Sequence, residues 1–462
     1  VKEFNQIGKK RLGSKMNKLA VKLGIILSGF CFTAALFATE VPLKYEKYPD
    51  EPKSFLPSGS VQLNIRPRGV PLPGDPWTLP HLNTENPTYA FAKIGDKERL
   101  FVLDVQKKGD SSYNRLYFDA NGNHNLRDDV FFDALPTSKT DGGYLSARFP
   151  AIDTTIEVGG KSLPYSFRPV IYGYMMQMAQ VKPDNQNISR YMNILLLVNC
   201  AYSGEFQVDG QKYRLILGDK NCNGRFDDRL TLLPSDKITG RVRTNIFARG
   251  DSFYITSGEN IDSYNEQVCG DWLLVNDKLF EVRVNAAKGL LSLTPVSENL
   301  AALKLAMSTE RISLYTEDGK HCLIMYQPAK EIKIPQDRYK LLSYEVLRKD
   351  EQGDLWRLCA AATKESPFMT LGEGQSVYEF GEPYVPIVDV HKAGGRLDRF
   401  FFMFNVQGKA KELLTDLSHI SGTKTRIPLS EKKNLGHRPK EPTYKVMKAN
   451  GEVVKSGFFE YG

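Results

Sequence analysis

The chain has 462 residues, with 62 Lys and Arg against 54 Asp and Glu for a net charge of +8, and 41% hydrophobic residues. Seven of the basic residues (Lys2, Lys9, Lys10, Arg11, Lys15, Lys18, Lys22) stand in the first 38 positions against Glu3, a local net of +6, which leaves +2 for the rest. A near-neutral remainder lacks the clustered positive charge that displaces counterions from nucleic acid, so nucleic-acid binding is excluded from the expected roles.

In chain order, Met16 opens a segment in which Lys18 and Lys22 precede an apolar run from Leu23 to Phe37 and then Ala38. That order of charge, hydrophobic stretch and small residue is a signal peptide. The run is interrupted by Gly24, Ser28 and Gly29 and falls short of the ~20 residues of a membrane span. An uncleaved anchor is the alternative. Residues 1–15 read as sequence upstream of the true start, so residues 1–38 form a leader and signal peptide, and the protein is expected to be secreted or periplasmic, at the cell envelope. Five cysteines lie beyond it: Cys200, Cys222, Cys269, Cys322 and Cys359. An odd, widely spaced set is no disulfide framework, and none of the spacings suits zinc. Buried free thiols are expected.

Residues 39–85 read as a Pro-rich extended arm, with nine prolines between Val41 and Pro80 and one edge strand, Val61-Gln62-Leu63-Asn64-Ile65. Short alternating runs punctuated by turns follow. Leu100–Leu103 and Arg115–Phe118 are the first, and Thr155–Val158 meets Gly159-Gly160. Glu205–Val208 turns at Asp209-Gly210 into Tyr213–Leu217, Ile312–Tyr315 turns at Asp318-Gly319 into Cys322–Tyr326, and Tyr444–Met447 turns at Asn450-Gly451 into Val453-Val454. Such dipeptides accept the positive φ of tight hairpins. The expected fold is mainly β, a multidomain chain of small sandwich or barrel units. Only Glu298–Met307 and Lys409–Leu417 read as short helices. The expected units are 86–190 and 191–295, each with a polar loop, then 296–380 and 381–462. The strand Ile334–Tyr344 resembles the central strand of a prealbumin-like sandwich, and the last unit resembles an immunoglobulin-like domain.

The polar loops carry the chemistry. The first runs Asp119-Ala120-Asn121-Gly122-Asn123-His124-Asn125-Leu126-Arg127-Asp128, and the second, one hundred residues later, Asp219-Lys220-Asn221-Cys222-Asn223-Gly224-Arg225-Phe226-Asp227-Asp228. Each directly follows a strand, as expected of two homologous units. Calcium takes six to eight oxygens at about 2.3–2.6 Å, and a chain curled round it points alternate side chains inward. Asp119, Asn121, Asn123, Asn125 and Asp128 in the first loop, and Asp219, Asn221, Asn223, Asp227 and Asp228 in the second, are the candidate ligands. Gly224 supplies the sharp turn, His124 replaces it in the first loop, and Leu126 and Phe226 should anchor the loops to the core.

Asp219-x-Asn221-x-Asn223-Gly224-x-x-Asp227 resembles the short calcium loops of integrin-type β-propeller blades and of thrombospondin type 3 repeats, and a truncated EF-hand loop. It is also similar to loops in secreted bacterial β-rich proteins of unassigned function. An EF-hand closes with an acid at its twelfth position, where this chain has Val130 and Leu230, and its flanks are helices. The resemblance therefore implies the ligand logic, a structural calcium ion, and no EF-hand fold. Few carboxylates per loop imply affinities of ~10⁻⁴–10⁻³ M, suited to extracellular calcium.

Other motifs carry less. Arg249-Gly250-Asp251 spells an adhesion tripeptide that chance also produces, and the six histidines are scattered singly. Asp128-Asp129 could serve as general acid and base, but an Asn-rich loop favours ion binding or solvation. Trp77, Trp272 and Trp356 either line a sugar-binding face or sit in the core. No catalytic residues emerge. The expected function is that of an exported, calcium-stabilised binding or structural module with a cell-surface glycan or protein partner. The alternatives are a secreted hydrolase acting on polysaccharide or peptide, and an accessory subunit of a surface complex.

Overall fold

The computed structural model describes residues 38–49, 56–63, 65–66, 77–85, 87–110, 113–136, 139–141, 144–174, 192–234, 246–258, 266–297, 299–351, 353–392, 400–420 and 442–459. The predicted leader up to position 37 lies outside them, as does Glu298 at the start of one predicted helix. One compact unit spans Glu40–Gly462. Its described residues are nearly all β, with a single 3-10 turn at Ala286–Lys288. No helix among them is long and apolar enough to cross a membrane.

The hairpins fall where the turn chemistry puts them. Cys200–Val208 pairs antiparallel with Gln211–Gly218, and Asp209 and Gly210 between them take φ of 53° and 78°, the two positive values of a type I′ turn. Two segments with helix-forming composition are strands instead. Leu300–Leu305 pairs with Glu331–Pro335 and Gln375–Tyr378, its side chains alternately buried and half-buried. Leu413–Ile420 pairs with Leu355–Ala361. Tertiary pairing overrides the weak helical preference of Ala, Leu and Lys.

Two five-stranded antiparallel sheets position the polar loops. The first has the order Ile65–Arg66, Thr88–Ile94, Lys97–Asp104, Arg115–Phe118, Phe131–Asp133; the second has the order Glu266–Val268, Ser252–Thr256, Gln211–Gly218, Cys200–Val208, Lys44–Lys47. A six-stranded sheet lies between them in the chain, and its strand Ile152–Val158 pairs with Lys161–Tyr174. The predicted units 86–190 and 191–295 share one hydrophobic cluster, which gathers Phe101, Phe118 and Phe167 with Leu215, Phe226, Phe253 and Leu291. The Pro-rich segment is woven into this assembly: Lys44–Lys47 pairs with Cys200–Val208, Ser60–Leu63 with Met192–Val198 and Ile65–Arg66 with Thr88–Ile94, and Val41, Leu63 and Ile65 are buried.

A second cluster gathers residues from Leu279 to Ala410 around Asp337–Lys349, the long strand predicted to be central. That strand pairs with Arg311–Thr316, Leu355–Ala361 and Phe368–Leu371. The strands Val385–Lys392, Phe400–Gln407 and Leu413–Ile420 continue the same eight-stranded sheet. All five described cysteines are free thiols; Cys200, Cys222, Cys269 and Cys322 are buried, and Cys359 is partly exposed.

Candidate functional site

Both polar loops spring from a strand end and are wound by side-chain-to-backbone bonds of the Asx-turn kind. In the first, Asn121 Oδ1 accepts from Asn123 N at 2.8 Å and Asn123 Oδ1 from Asn125 N at 2.8 Å. In the second, Asn221 Oδ1 accepts from Asn223 N at 3.1 Å and Asn223 Oδ1 from Arg225 N at 2.7 Å. The closing acids match as well: Asp128 Oδ2 accepts from Asn123 Nδ2 at 2.9 Å, and Asp228 Oδ2 from Asn223 Nδ2 at 2.6 Å and Asn221 Nδ2 at 2.7 Å. In the first loop Asn125 Oδ1 adds a bond from Arg127 N at 3.3 Å.

The backbone repeats itself too. Gly122 and His124 have φ of 68° and 65°, and Cys222 and Gly224 have φ of 58° and 79°. Each loop therefore uses the left-handed conformation at its fourth and sixth positions and spends its one glycine at a different one of the two. His124 tolerates the strain stacked on Trp77, with ring centroids 4.0 Å apart. Gly224 cannot be replaced so easily, because a Cβ there would come within 2.3 Å of Ile156 Cδ1, whereas at Gly122 it meets the flexible Lys97 chain at 2.6 Å. Gly224→Ala is expected to cost about 2–4 kcal/mol and Gly122→Ala about 1–2 kcal/mol, read as separate shifts of the urea midpoint; equal shifts would contradict the packing assigned to Gly224.

Asp119 and Asp219, both fully buried, are the hubs. Asp119 Oδ1 accepts from Gly122 N at 2.8 Å and Asn123 N at 3.2 Å. Asp219 Oδ1 accepts from Cys222 N and Asn221 N, and its Oδ2 from Gly224 N at 2.8 Å and Tyr165 Oη at 2.7 Å. Leu126 and Phe226 are buried as anchors, and Phe226 meets Tyr202 edge-on at 4.9 Å. Asp227 is exposed, and its side chain makes no hydrogen bond among the described residues.

Sequence reasoning named Asp129 and Asp251 but did not place either opposite a hub. Continuing the register Tyr117↔Phe131 brings Asp119 opposite Asp129, and continuing Gly218↔Ser252 brings Asp219 opposite Asp251. The pairs are equivalent: Ala120 N donates to Asp129 Oδ1 at 3.2 Å, and Lys220 N to Asp251 Oδ1 at 3.0 Å. Asp251 lies far along the chain because the hairpin Thr231–Pro234/Ile246–Arg249 intervenes before the strand it begins. Within the Arg-Gly-Asp tripeptide, Asp251 is thus a buried loop support: it also accepts from Asp228 N at 2.8 Å and is fully buried.

Comparison with protein-family models, curated proteins and solved structures gave no match. The chemistry of the loops is therefore read from their own atoms.

The two carboxylate pairs differ in what they leave open. Asp251 spends both oxygens on main-chain N–H groups, and Asp219 receives four donors. In the first loop, Asp119 Oδ2 and Asp129 Oδ2 are buried and have no hydrogen-bond partner among the described residues. Burial, with the charges of Asp119 and Asp128, pushes the Asp129 carboxyl up to about 6. Asp219 is raised by burial, and Asp251 is raised by burial and by the charge of Asp219. Arg99, itself buried, acts on both carboxylates by its charge, but its guanidinium donates to the main-chain oxygens of Asp119 and Ala120. Among the described residues no three His, Cys, Asp or Glu side chains converge as a metal-ligand group. A cation would instead take its oxygens from two aspartates, the Asn amides and main-chain carbonyls. The unpartnered oxygens of Asp119 and Asp129 fit a hard cation.

The loops touch the same elements. Gly95 N donates to Asn223 O, and Arg225 pairs with Asp96 at 2.8 Å. Thr154 Oγ1 donates to Ala120 O at 2.9 Å. With Ile156 against Gly224 and Thr154 against Ala120, the strand Ile152–Val158 lies against both.

Proposed function

We propose that this protein is an exported β-sheet protein in which structural calcium staples the polar loops, and that it works as a binding or structural module at the cell envelope. The observation that carries the reading is the pair of buried carboxylate oxygens, Asp119 Oδ2 and Asp129 Oδ2, left without a donor beside an Asn-rich loop. A buried carboxylate oxygen without a partner costs several kcal/mol in a dry site, and a divalent cation removes that cost for both at once.

Calcium is the expected ion because every available donor is an oxygen and the loop is wound from asparagine and aspartate. The second loop is a weaker site of the same design, because Asp219 and Asp251 would have to surrender main-chain donors to bind an ion. The signal-like segment before Ala38 supports export, into a compartment where calcium is abundant enough for a low-charge site. Among the described residues, the carboxyls with raised pKa, Asp129, Asp219 and Asp251, sit in these loops or directly opposite their hubs, which supports a staple over a hydrolytic site.

The test is thermal unfolding with calcium and with a chelator. Calcium at about one hundred times its Kd is expected to stabilise the fold by about 2.7 kcal/mol, raising the melting temperature, and the chelator should reverse the gain. A melting temperature indifferent to both would overturn the staple.

A further inference from the structure

On the second five-stranded sheet, an open groove of about 810 Å³ crosses the strands from Lys44 to Thr256. We propose that this groove binds a short anionic oligosaccharide; the proposal rests on the binding-module reading and names the ligand and its place.

The floor of the groove is a fixed polar network. Glu46 accepts from the Ser203 hydroxyl and from Arg214 Nη2 at 2.5 Å, and Ser203 is buried at 6% exposure. The network sets a carboxylate and a guanidinium side by side, acceptor next to donor. Sugar hydroxyls both donate and accept, so neighbouring hydroxyls complement such a pair, whereas a run of phosphates only accepts and offers Glu46 no donor. A peptide docking through its main chain needs a free strand edge. Here the groove lies on the face of four paired strands, and the sheet's edge is only at its end, at Lys44–Lys47.

Charge selects the anionic class. Arg214 offsets Glu46, and Lys44 and Lys212 remain against Glu205. Both lysines are exposed, and neither has an ion-pair partner among the described residues. Three strand spacings of ~4.8 Å separate the walls, room for an extended run of several sugar units. The lysines at the rim would hold carboxylates, and the Glu46–Arg214 pair would read the hydroxyls between them.

The experiment is isothermal titration of the full chain at low salt with a short oligogalacturonate, with a neutral cello-oligosaccharide of equal length and polyglutamate as comparison ligands. Oligogalacturonate is expected to bind, and the other two to bind at least roughly tenfold more weakly. Reversing both rim charges (Lys44→Glu with Lys212→Glu) should weaken oligogalacturonate by about tenfold or more, while Arg338→Ala, whose exposed ion pair with Glu317 lies outside the groove, leaves that affinity unchanged. The proposal is overturned if oligogalacturonate does not bind, if polyglutamate binds as well, or if charge reversal has no effect. Because the calcium response is measured separately, failure here leaves the staple standing, and failure of the staple leaves the groove to be judged on its own result.

Discussion

Phe226→Ala is expected to destabilise the fold by about 3–5 kcal/mol, the range for removing a fully buried aromatic ring. Phe226 is 1% exposed and packs edge-on against Tyr202 at 4.9 Å and Tyr165 at 6.3 Å. Its loss would open a cavity directly beneath the second loop, in the cluster that both predicted units share. Tyr165 also donates to Asp219, so the cavity should loosen the hub of the loop as well as the core. Equilibrium urea unfolding provides the measurement. The neighbouring Arg225→Ala, which removes only a half-exposed ion pair with Asp96, is the control and should cost no more than about 1 kcal/mol. A Phe226→Ala loss as small as the control's would mean that the loop is not anchored through this ring.

Asp251→Ala is the second large effect, expected at about 2–4 kcal/mol. The substitution strips the acceptor from Lys220 N and Asp228 N, and an orphaned donor costs roughly 1–3 kcal/mol. Removing the carboxyl also relieves its repulsion with Asp219, which keeps the expected loss below the sum for two donors. The exposed Asp227 serves as the comparison, and Asp227→Ala should be close to neutral. The order Asp251→Ala far above Asp227→Ala separates a loop support from a surface acid, although the sequence motif points to Asp227 and passes over Asp251. Equal and small effects would contradict the register that brings Asp251 opposite Asp219.

The loops were legible in sequence because their bonds are local. An Asn that accepts from the residue two places on needs nothing from the rest of the chain, so Asn121, Asn123, Asn221 and Asn223 could be placed from spacing alone. The same holds for the hairpin at Asp209-Gly210, whose turn chemistry is carried by two residues. Asp129 and Asp251 were not legible, because what pairs them with Asp119 and Asp219 is strand register. In the second sheet that register is interrupted by an inserted hairpin. The positive φ of His124 and Cys222 was hidden for a related reason: glycine marks one left-handed position in each loop, and nothing in the sequence marks the other. The strands Leu300–Leu305 and Leu413–Ile420 read as helices because Ala, Leu and Lys favour helix locally, while the partners that decide the matter lie tens of residues away.

The differences between the loops follow from a few side chains. Tyr165 completes the shell of Asp219, whereas the corresponding oxygen of Asp119 is left bare. Arg99, held by main-chain oxygens of the first loop, offsets part of the charge without donating to either bare oxygen. The first loop is therefore placed to gain most from an added cation, even though the second has the more familiar sequence.

The most direct measurement is calcium titration by calorimetry of the wild-type chain and of the Asp119→Asn, Asp129→Asn double variant, with folding of the variant checked by circular dichroism. The predicted result is a calcium-binding event in the wild type, with a Kd of roughly 10⁻⁴–10⁻³ M, that disappears in a folded double variant. Calcium binding that survives unchanged in that variant, or wild-type protein that takes up no calcium, would contradict the account.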